Sequence, residues 1–534
     1  MLLEMNPPAQ GALPALPIRL GSLSQFSAAR EFLRQADYSE PTISRRLGLG
    51  GLHEFLRSGT KTGTLSPEEA PDAAGLLLRV FLAGQSVSRE LLSRFVPSAV
   101  QESLEALGVL CTAADAGGEY YSPVALYPVE GLWMASDRWR NPDGSPVPNV
   151  EDFVFPAIHP LTHEFLAPLP QSPCDRLLDL GSGTGIAALL AAKRYARQAW
   201  AVDITQRATD FGEFNRRLNG LSNATVLQGN LYEPVAGMTF DRIVAHPPYV
   251  PSLESGAIYA DGGSDGESVT RAIVEGLPRY LEPQGRLYCD TMGVEREGEP
   301  FEQRVREWLG TEHPEFDILF IADAVQGPAQ FAYRSTRHKK GNWELMERWR
   351  AHLEKLKVKS LVNGLLVMQR TQAARSAFTV RRQKGEGTRA AEIEWLLGWE
   401  TQWAESTGME QVLAWRPLAS SNMELHVVHT KRNEAALAPS KFTLRTGYPF
   451  RVEYECPAWV AAFVERCDGE TPAGELFAAG LREQWIPIEK PSRQFVETIG
   501  ELVSRGIIEI EGVALPAQTS AGAELQANRV LPEI

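Results

Sequence analysis

Between residues 177 and 249 the chain repeats one local pattern four times: a short apolar run ends on residues suited to holding a ligand. The first run, Leu177, Leu178, Asp179 and Leu180, passes into Gly181, Ser182, Gly183, Thr184 and Gly185. The second, 199–202, ends on Asp203, and a third element ends at Gly229, Asn230 and Leu231. The fourth, 240–245, runs into His246, Pro247, Pro248 and Tyr249. Apolar runs without alternation, separated by stretches long enough for a helix, are expected of strands buried on both faces. The expected fold class is therefore α/β, with a parallel sheet whose strand tips gather the ligands.

The residue types at those tips carry chemistry. Gly181, Gly183 and Gly185 allow positive φ angles and a close approach of backbone to ligand where a strand turns sharply into a helix. Asp179, just before them, is suited to accept charge-assisted hydrogen bonds from an ammonium group. A pyrophosphate at the same place would be repelled by it. Asp203 follows at close to the roughly 20-residue spacing at which an acidic residue on the second strand tip grips ribose hydroxyls. Asn230, with Leu231 beside it, is placed to meet an adenine edge. Gly183, Gly185 and Ala188 also satisfy the looser glycine, glycine, alanine fingerprint of nicotinamide and flavin enzymes, so the turn alone does not choose between cofactors.

The fourth tip weighs against that alternative. Two prolines after a strand end its ladder, because proline lacks an N–H and has a fixed φ, and they turn the preceding carbonyls toward the crevice. Those carbonyls suit a substrate NH2 group, and Tyr249 offers a ring face to a planar base or amide, a contact worth about 1–3 kcal/mol on a base. The combination points to methyl transfer from S-adenosylmethionine to an amino or amide nitrogen. Catalysis would then be mainly positioning, a source of about 7–11 kcal/mol in favourable cases.

Over about residues 150 to 300 the chain resembles the "small-domain" methyltransferases, which include release-factor glutamine methyltransferases and several ribosomal-RNA guanine and adenine methyltransferases. Their signature at the fourth strand is asparagine, proline, proline, then tyrosine or phenylalanine; here it is His246, Pro247, Pro248 and Tyr249. The segment Tyr259, Ala260, Asp261, Gly262, Gly263, Ser264, Asp265 and Gly266 is similar to the glycine-rich loop of the glutamine methyltransferases. His159, Pro160, Leu161, Thr162, His163 and Glu164 stand where such enzymes place a helix over the methionine end of the cofactor. The run 208–220, with Phe214, Asn215, Leu218, Asn219 and Gly220, looks most like a bacterial branch with extra terminal domains.

The resemblance implies a Rossmann-like seven-stranded methyltransferase sheet. It assigns Asp179, Gly181, Gly183, Gly185, Asp203, Asn230 and Leu231 to the cofactor S-adenosylmethionine, and His246, Pro247, Pro248 and Tyr249 to catalysis. His246 departs from the pattern. The family asparagine accepts one N–H of the target; a neutral imidazole also has one acceptor nitrogen, and with an ordinary pKa of about 6.5 it is suited to base work. The change also fits a different nucleophile, or a catalytically silent copy. Asn6, Pro7, Pro8 and Ala9 imitate the signature, but no strand precedes them and no aromatic residue follows.

A length of 534 residues with 43% hydrophobic content implies about three globular domains. Residues 1–148 read as a helical, winged-helix-like domain: apolar residues recur at helical spacing over 73–82, 91–96 and 100–107, and a β-rich stretch covers 120–134. Pro142, Gly144, Pro146 and Pro148 mark its end. Residues 149–375 form the methyltransferase domain, with further strands expected at 285–290, 316–322 and 361–370 and a helix at 343–356. Residues 376–534 read as a second mainly helical, winged-helix-like domain, with helices near 392–403, 459–466, 474–479 and 494–508.

Several classes are disfavoured. No apolar run reaches the roughly 18 residues of a membrane span, and the N-terminus lacks a charged start with an apolar core, so a cytoplasmic protein is expected. Cys111, Cys174, Cys289, Cys456 and Cys467 are too scattered for a zinc knuckle, and His159 and His163 are followed and separated by the wrong residues for a zinc helix; no metal is expected. The net charge of −14 opposes indiscriminate phosphate binding. Residues 334–389 nevertheless carry 15 basic and 4 acidic residues. That run fits an RNA or DNA footprint, an acidic protein partner, or a solvated face. A base nitrogen in RNA is the expected target, protein glutamine its nearest rival, and a non-catalytic S-adenosylmethionine-binding regulator the reading from another class.

Overall fold

The computed structural model describes residues 16–56, 72–112, 118–139, 151–253, 258–336, 343–371, 375–405, 408–431, 437–487, 489 and 491–517. The false signature at Asn6, the boundary at 142–148 and the cations Arg337, Lys339 and Lys340 lie outside the described residues. The chain divides into two compact units. The first comprises Met1–Leu166, Gln171–Glu312 and Val325–Arg370, and the second Ala167–Pro170, His313–Ala324 and Thr371–Ile534.

All the strands expected of the methyltransferase sheet are present: β1 (Cys174–Leu180), β2 (Ala196–Asp203), β3 (Ala224–Gln228), β4 (Phe240–Ala245), β5 (Leu281–Glu295), β6 (Phe316–Gln326) and β7 (Ser360–Arg370). Six of them build the sheet of the first unit in the order β3-β2-β1-β4-β5-β7. The pairs among β1 to β5 are parallel and β7 runs antiparallel to β5. This is a Rossmann-like α/β fold. Its register creates the site: Leu180 pairs with both Val202 and Ala245, so Gly181, Asp203 and His246 leave three adjacent strands side by side. The order reverses at β1, the switch point where open α/β sheets bind ligands.

Helices α1 (Pro160–Leu166), α2 (Ile186–Arg194), α3 (Gln206–Asn219) and α4 (Ser268–Tyr280) flank these tips. Every residue of α2 from Ile186 to Ala192 is buried, as its lack of polar positions before Lys193 requires. Thr205 caps α3 by accepting the Ala208 N–H at 3.1 Å, and Gly220 ends it in the left-handed region.

N-terminal to the sheet, helices Leu23–Gln35, Arg89–Phe95 and Ser98–Ala106 precede an antiparallel hairpin of Ala125–Val129 and Leu132–Ser136. The hairpin turns through Glu130 and Gly131, both at positive φ. The helix at 73–82 closes as a π-turn over Leu78–Leu82, and the buried Arg138 donates to the carbonyls of Val80, Phe81, Leu82 and Val124.

Two asparagines one turn apart on α3 fasten the hairpin. Asn215 accepts the Ala135 N–H at 2.7 Å and donates to the carbonyls of Ala135 and Thr184, both at 3.0 Å; Asn219 bonds both main-chain groups of Trp133. Positions i and i+4 of the helix thus match positions two apart on a strand. Asn215 is fully buried. Its replacement by Leu leaves three main-chain groups without partners, each worth roughly 1–3 kcal/mol, so a loss of about 3 kcal/mol is expected in urea denaturation.

In the second unit β6 pairs in parallel with Thr379–Lys384, and the sheet continues through Phe450–Cys456, Leu437–Thr446 and Met423–Lys431. The expected helices are present at Ala390–Ala404, Ala458–Val464, Ala473–Arg482 and Ser492–Ser504. The antiparallel meander was not anticipated. Most residues of Met423–Lys431 are exposed, so no alternation of apolar residues announces that strand.

Part of the basic run is engaged internally, whereas Arg334, Arg348, Arg350, Lys355, Lys357 and Lys359 are exposed. Arg375 forms a two-bond pair with the fully buried Asp317, Arg382 contacts Glu400 and Ser504, Lys384 pairs with Asp323, and Arg381 lies over the Phe320 ring. Arg370 donates to the carbonyls of Pro278 and Leu281. Among the described residues no helix is long and apolar enough to cross a membrane.

Candidate active site

The glycine turn after β1 has the expected backbone: φ is +70° at Gly181, +54° at Gly183 and +80° at Gly185. A Cβ at any of the three would force a conformation that L side chains rarely adopt. Asp179 is buried beneath this turn, and its Oδ2 accepts the Ala188 N–H at 3.2 Å. Burial pushes its pKa up to about 7, and the nearby Asp203 charge adds to the effect. A carboxyl with one backbone donor and an apolar surround is poised for a cation, whose charge would restore its ionised form.

Asp203 has a double task. Its Oδ2 accepts the Gly183 N–H at 2.9 Å, and its Oδ1 accepts from the Thr205 N–H at 3.0 Å and the Thr205 hydroxyl at 3.1 Å. Burial raises its pKa, opposed by these donors. At the third tip Asn230 is exposed and Leu231 takes a left-handed φ of +48° without being glycine. That backbone costs energy and is found where a site requires it.

His246 lies between the rings of Phe165 at 5.1 Å and Tyr249 at 5.7 Å, with Nε2 3.6 Å from Asp290 Oδ2. Burial pushes its pKa down to about 4, with repulsion from His159 contributing. The ring is therefore a neutral acceptor or donor near pH 7, and a weak base. Burial likewise pushes the Tyr249 hydroxyl well up, so it stays protonated. Pro247 and Pro248 continue the wall, and Asp179, Asp203, Asn230, Leu231 and His246 to Tyr249 line one cavity of about 600 Å³. Gly181 and Gly183 line it too; Gly185 sits behind them as the first residue before α2.

The glycine-rich segment folds back onto the exit of the signature. Val250 donates its N–H to the Ala260 carbonyl and accepts the Gly262 N–H, Ser252 Oγ donates to Asp261 Oδ1 at 2.6 Å, and Asp261 also receives the Gly263 N–H at 2.8 Å. Tyr259 thereby reaches Phe155, ring centroids 4.7 Å apart. Glu267, fully buried, ends the loop: it accepts the Val294 N–H at 2.7 Å and pairs through both oxygens with Arg304 at 2.5 and 2.6 Å.

Sequence reasoning did not assign Asp290, Phe155, Phe165 or Glu267. Asp290 had a readable signal: it interrupts the apolar run Leu287, Tyr288, Cys289 as Asp179 interrupts its own. The aromatic residues had none, since the site rings they meet, Tyr259 for Phe155 and His246 for Phe165, lie far off in sequence. Of the two histidines on the segment before β1, His159 Nδ1 accepts the Leu161 N–H at 3.2 Å, and His163 stacks on His53 at 4.2 Å. Among the described residues no group of three metal-ligating side chains occurs.

The family model for the methyltransferase small domain matches residues 157–311, the stretch that supplies β1 to β5 and the signature. Residues 157–311 are a methyltransferase small domain. The chain is 34% identical over 163 residues to the ribosomal protein uL3 glutamine methyltransferase of Bradyrhizobium diazoefficiens, covering 28% of this chain and 51% of that one. It is 34% identical over 130 residues to the release factor glutamine methyltransferase of Gloeobacter violaceus, covering 22% and 46%. The chain thus spans about half the length of these curated relatives. Among solved structures, the ribosomal protein L11 methylase of Lactobacillus delbrueckii subsp. bulgaricus matches with a TM-score of 0.22 and 17% identity, over 38% of this chain and 72% of that one.

The methyl donor of such a domain is S-adenosylmethionine, and the residues present fit it. The cavity lies within the roughly 300–1,000 Å³ usual for small-molecule sites. Its floor lacks side chains at Gly181 and Gly183, and the second oxygen of Asp179 has no hydrogen-bond donor among the described residues.

Proposed function

We propose that this protein methylates the side-chain amide nitrogen of a glutamine in a protein substrate, with residues 149–375 as the methyl-transfer domain. The observation that carries the reading is the similarity to relatives described as glutamine methyltransferases of a release factor and a ribosomal protein, beside the family-model match over residues 157–311. The glycine-rich loop against the signature supports the same substrate. Part of the basic run that motivated an RNA target is bound up in internal pairs, which weakens that support.

Bound S-adenosylmethionine supplies a methyl group already activated by its sulfonium. The chain contributes placement. Asp179 receives the cofactor ammonium, Asp203 a ribose hydroxyl, and Asn230 and Leu231 border the adenine. The carbonyls projected by Pro247 and Pro248 accept one amide N–H of the glutamine, His246 accepts the other, and Tyr249 covers the flat amide. In-line approach of the nitrogen follows from these contacts. After transfer the nitrogen loses a proton, and an imidazole with a pKa near 4 still outcompetes a protonated amide for it.

His246→Ala is expected to lower turnover about 100-fold while sparing cofactor affinity, in line with the cost of misplacing a reacting group. His246→Asn should retain most activity; its loss would show that the imidazole acts as a base rather than an acceptor. The decisive experiment incubates the protein with methyl-labelled S-adenosylmethionine and an extract of cells lacking its gene. Label released by protease supports the proposal, and label released by nuclease overturns it. No label, with cofactor bound, selects a silent regulator, the reading favoured by the missing asparagine.

A further inference from the structure

We infer that Asp152 is an additional ligand for the nucleoside end of the cofactor, an assignment that rests on the methyl-donor reading above. Asp152 lines the same cavity as Asp203 and Thr205, and its Oδ1 is shut off from water with no hydrogen-bond partner among the described residues. A buried carboxylate oxygen without a donor is costly, so a filled cavity is where a donor is expected.

Its position indicates which part of the ligand supplies that donor. The charge of Arg207, in the first turn of α3, lies near Asp152, and Arg207 itself is tied through Nε and Nη2 to Asp137 at 2.8 and 2.5 Å. Asp152 therefore stands beside the tip of β2, on the Asp203 side of the cavity, whereas Asp179 and His246 lie at the tips of β1 and β4. There the available acceptors are few. Asp203 already receives the Gly183 N–H, the Thr205 N–H and the Thr205 hydroxyl. These fill three of the roughly four lone-pair sites of a carboxylate. A ribose brings two neighbouring hydroxyls, and Asp203 has room for one of them. Asp152 supplies the acceptor for the donor left over. The N-terminal segment Glu151 to Phe155 thus takes part in recognition of the cofactor and does more than cover it.

The test is calorimetric titration of the full chain with S-adenosylmethionine and with 5′-methylthioadenosine, which keeps the nucleoside and lacks the amino-acid part. Asp152→Ala should weaken both ligands by roughly tenfold, the usual effect of losing one charge-assisted hydrogen bond. Asp152→Asn, equal in size, should weaken both less and guards against a folding defect, checked by the melting temperature of the ligand-free protein. Unchanged affinity for both ligands overturns the inference, as does a loss confined to S-adenosylmethionine, which would put Asp152 at the amino-acid end. Asp179→Asn serves as the control, losing affinity for S-adenosylmethionine and not for 5′-methylthioadenosine. Failure of the unaltered protein to bind either ligand would overturn the methyl-donor reading itself.

Discussion

Asp179→Asn is expected to weaken S-adenosylmethionine binding by roughly 30- to 100-fold and to abolish most of its pH dependence, as read by titration calorimetry between pH 5.5 and 8.5. The magnitude follows from a charge-assisted hydrogen bond made out of contact with water. The pH dependence follows from the pKa of Asp179, pushed up to about 7 in the ligand-free protein by burial. A bound ammonium favours the ionised carboxylate, so below pH 7 binding must release a proton. Affinity should then rise close to tenfold per pH unit up to about 7. It levels off there and falls again once the ligand's own amine deprotonates, at an ordinary pKa of about 7.7–8.0. Asn cannot titrate, so the acid limb should vanish in the variant. An acid limb of unchanged slope would show that another group receives the ammonium.

Glu267→Ala should destabilise the first unit by about 3–5 kcal/mol, because it leaves the Arg304 guanidinium buried without its partner. Glu267 is fully buried and holds Arg304 through two bonds and the Val294 N–H through a third. The pair ties the start of α4 to β5 and to the helix Phe301–Trp308, directly after the loop that packs on the signature. Chemical denaturation followed by intrinsic fluorescence measures the effect. The double variant Glu267→Ala with Arg304→Met should recover most of the loss, since an apolar replacement of a whole buried pair is often close to neutral. Additive losses in the double variant would mean that the pair itself contributes little.

The site was legible to different depths. Asp179, the three glycines, Asp203 and the signature from His246 to Tyr249 stand at strand tips, and each tip announces itself locally by an apolar run that stops. The N-terminal hairpin was legible as a β-rich stretch, yet its attachment to Asn215 and Asn219 was not, because an exposed asparagine and a buried one read alike in sequence. The basic run 334–389 was legible as charge, but the place of Arg375, Arg382 and Lys384 depended on Asp317, Asp323, Glu400 and Ser504, acceptors that charge counting over one window does not see.

The sequence by itself determined the strand tips, the α/β class, the kind of cofactor and the departure at His246, since these depend on interactions within a few residues along the chain. Only the tertiary structure decided that Asp290 faces His246, that Asp152 enters the cofactor cavity and that Glu267 locks the loop with Arg304. Those assignments rest on burial and on contacts between residues dozens of positions apart, and it is burial that turns an ordinary carboxyl or imidazole into one that must find a partner.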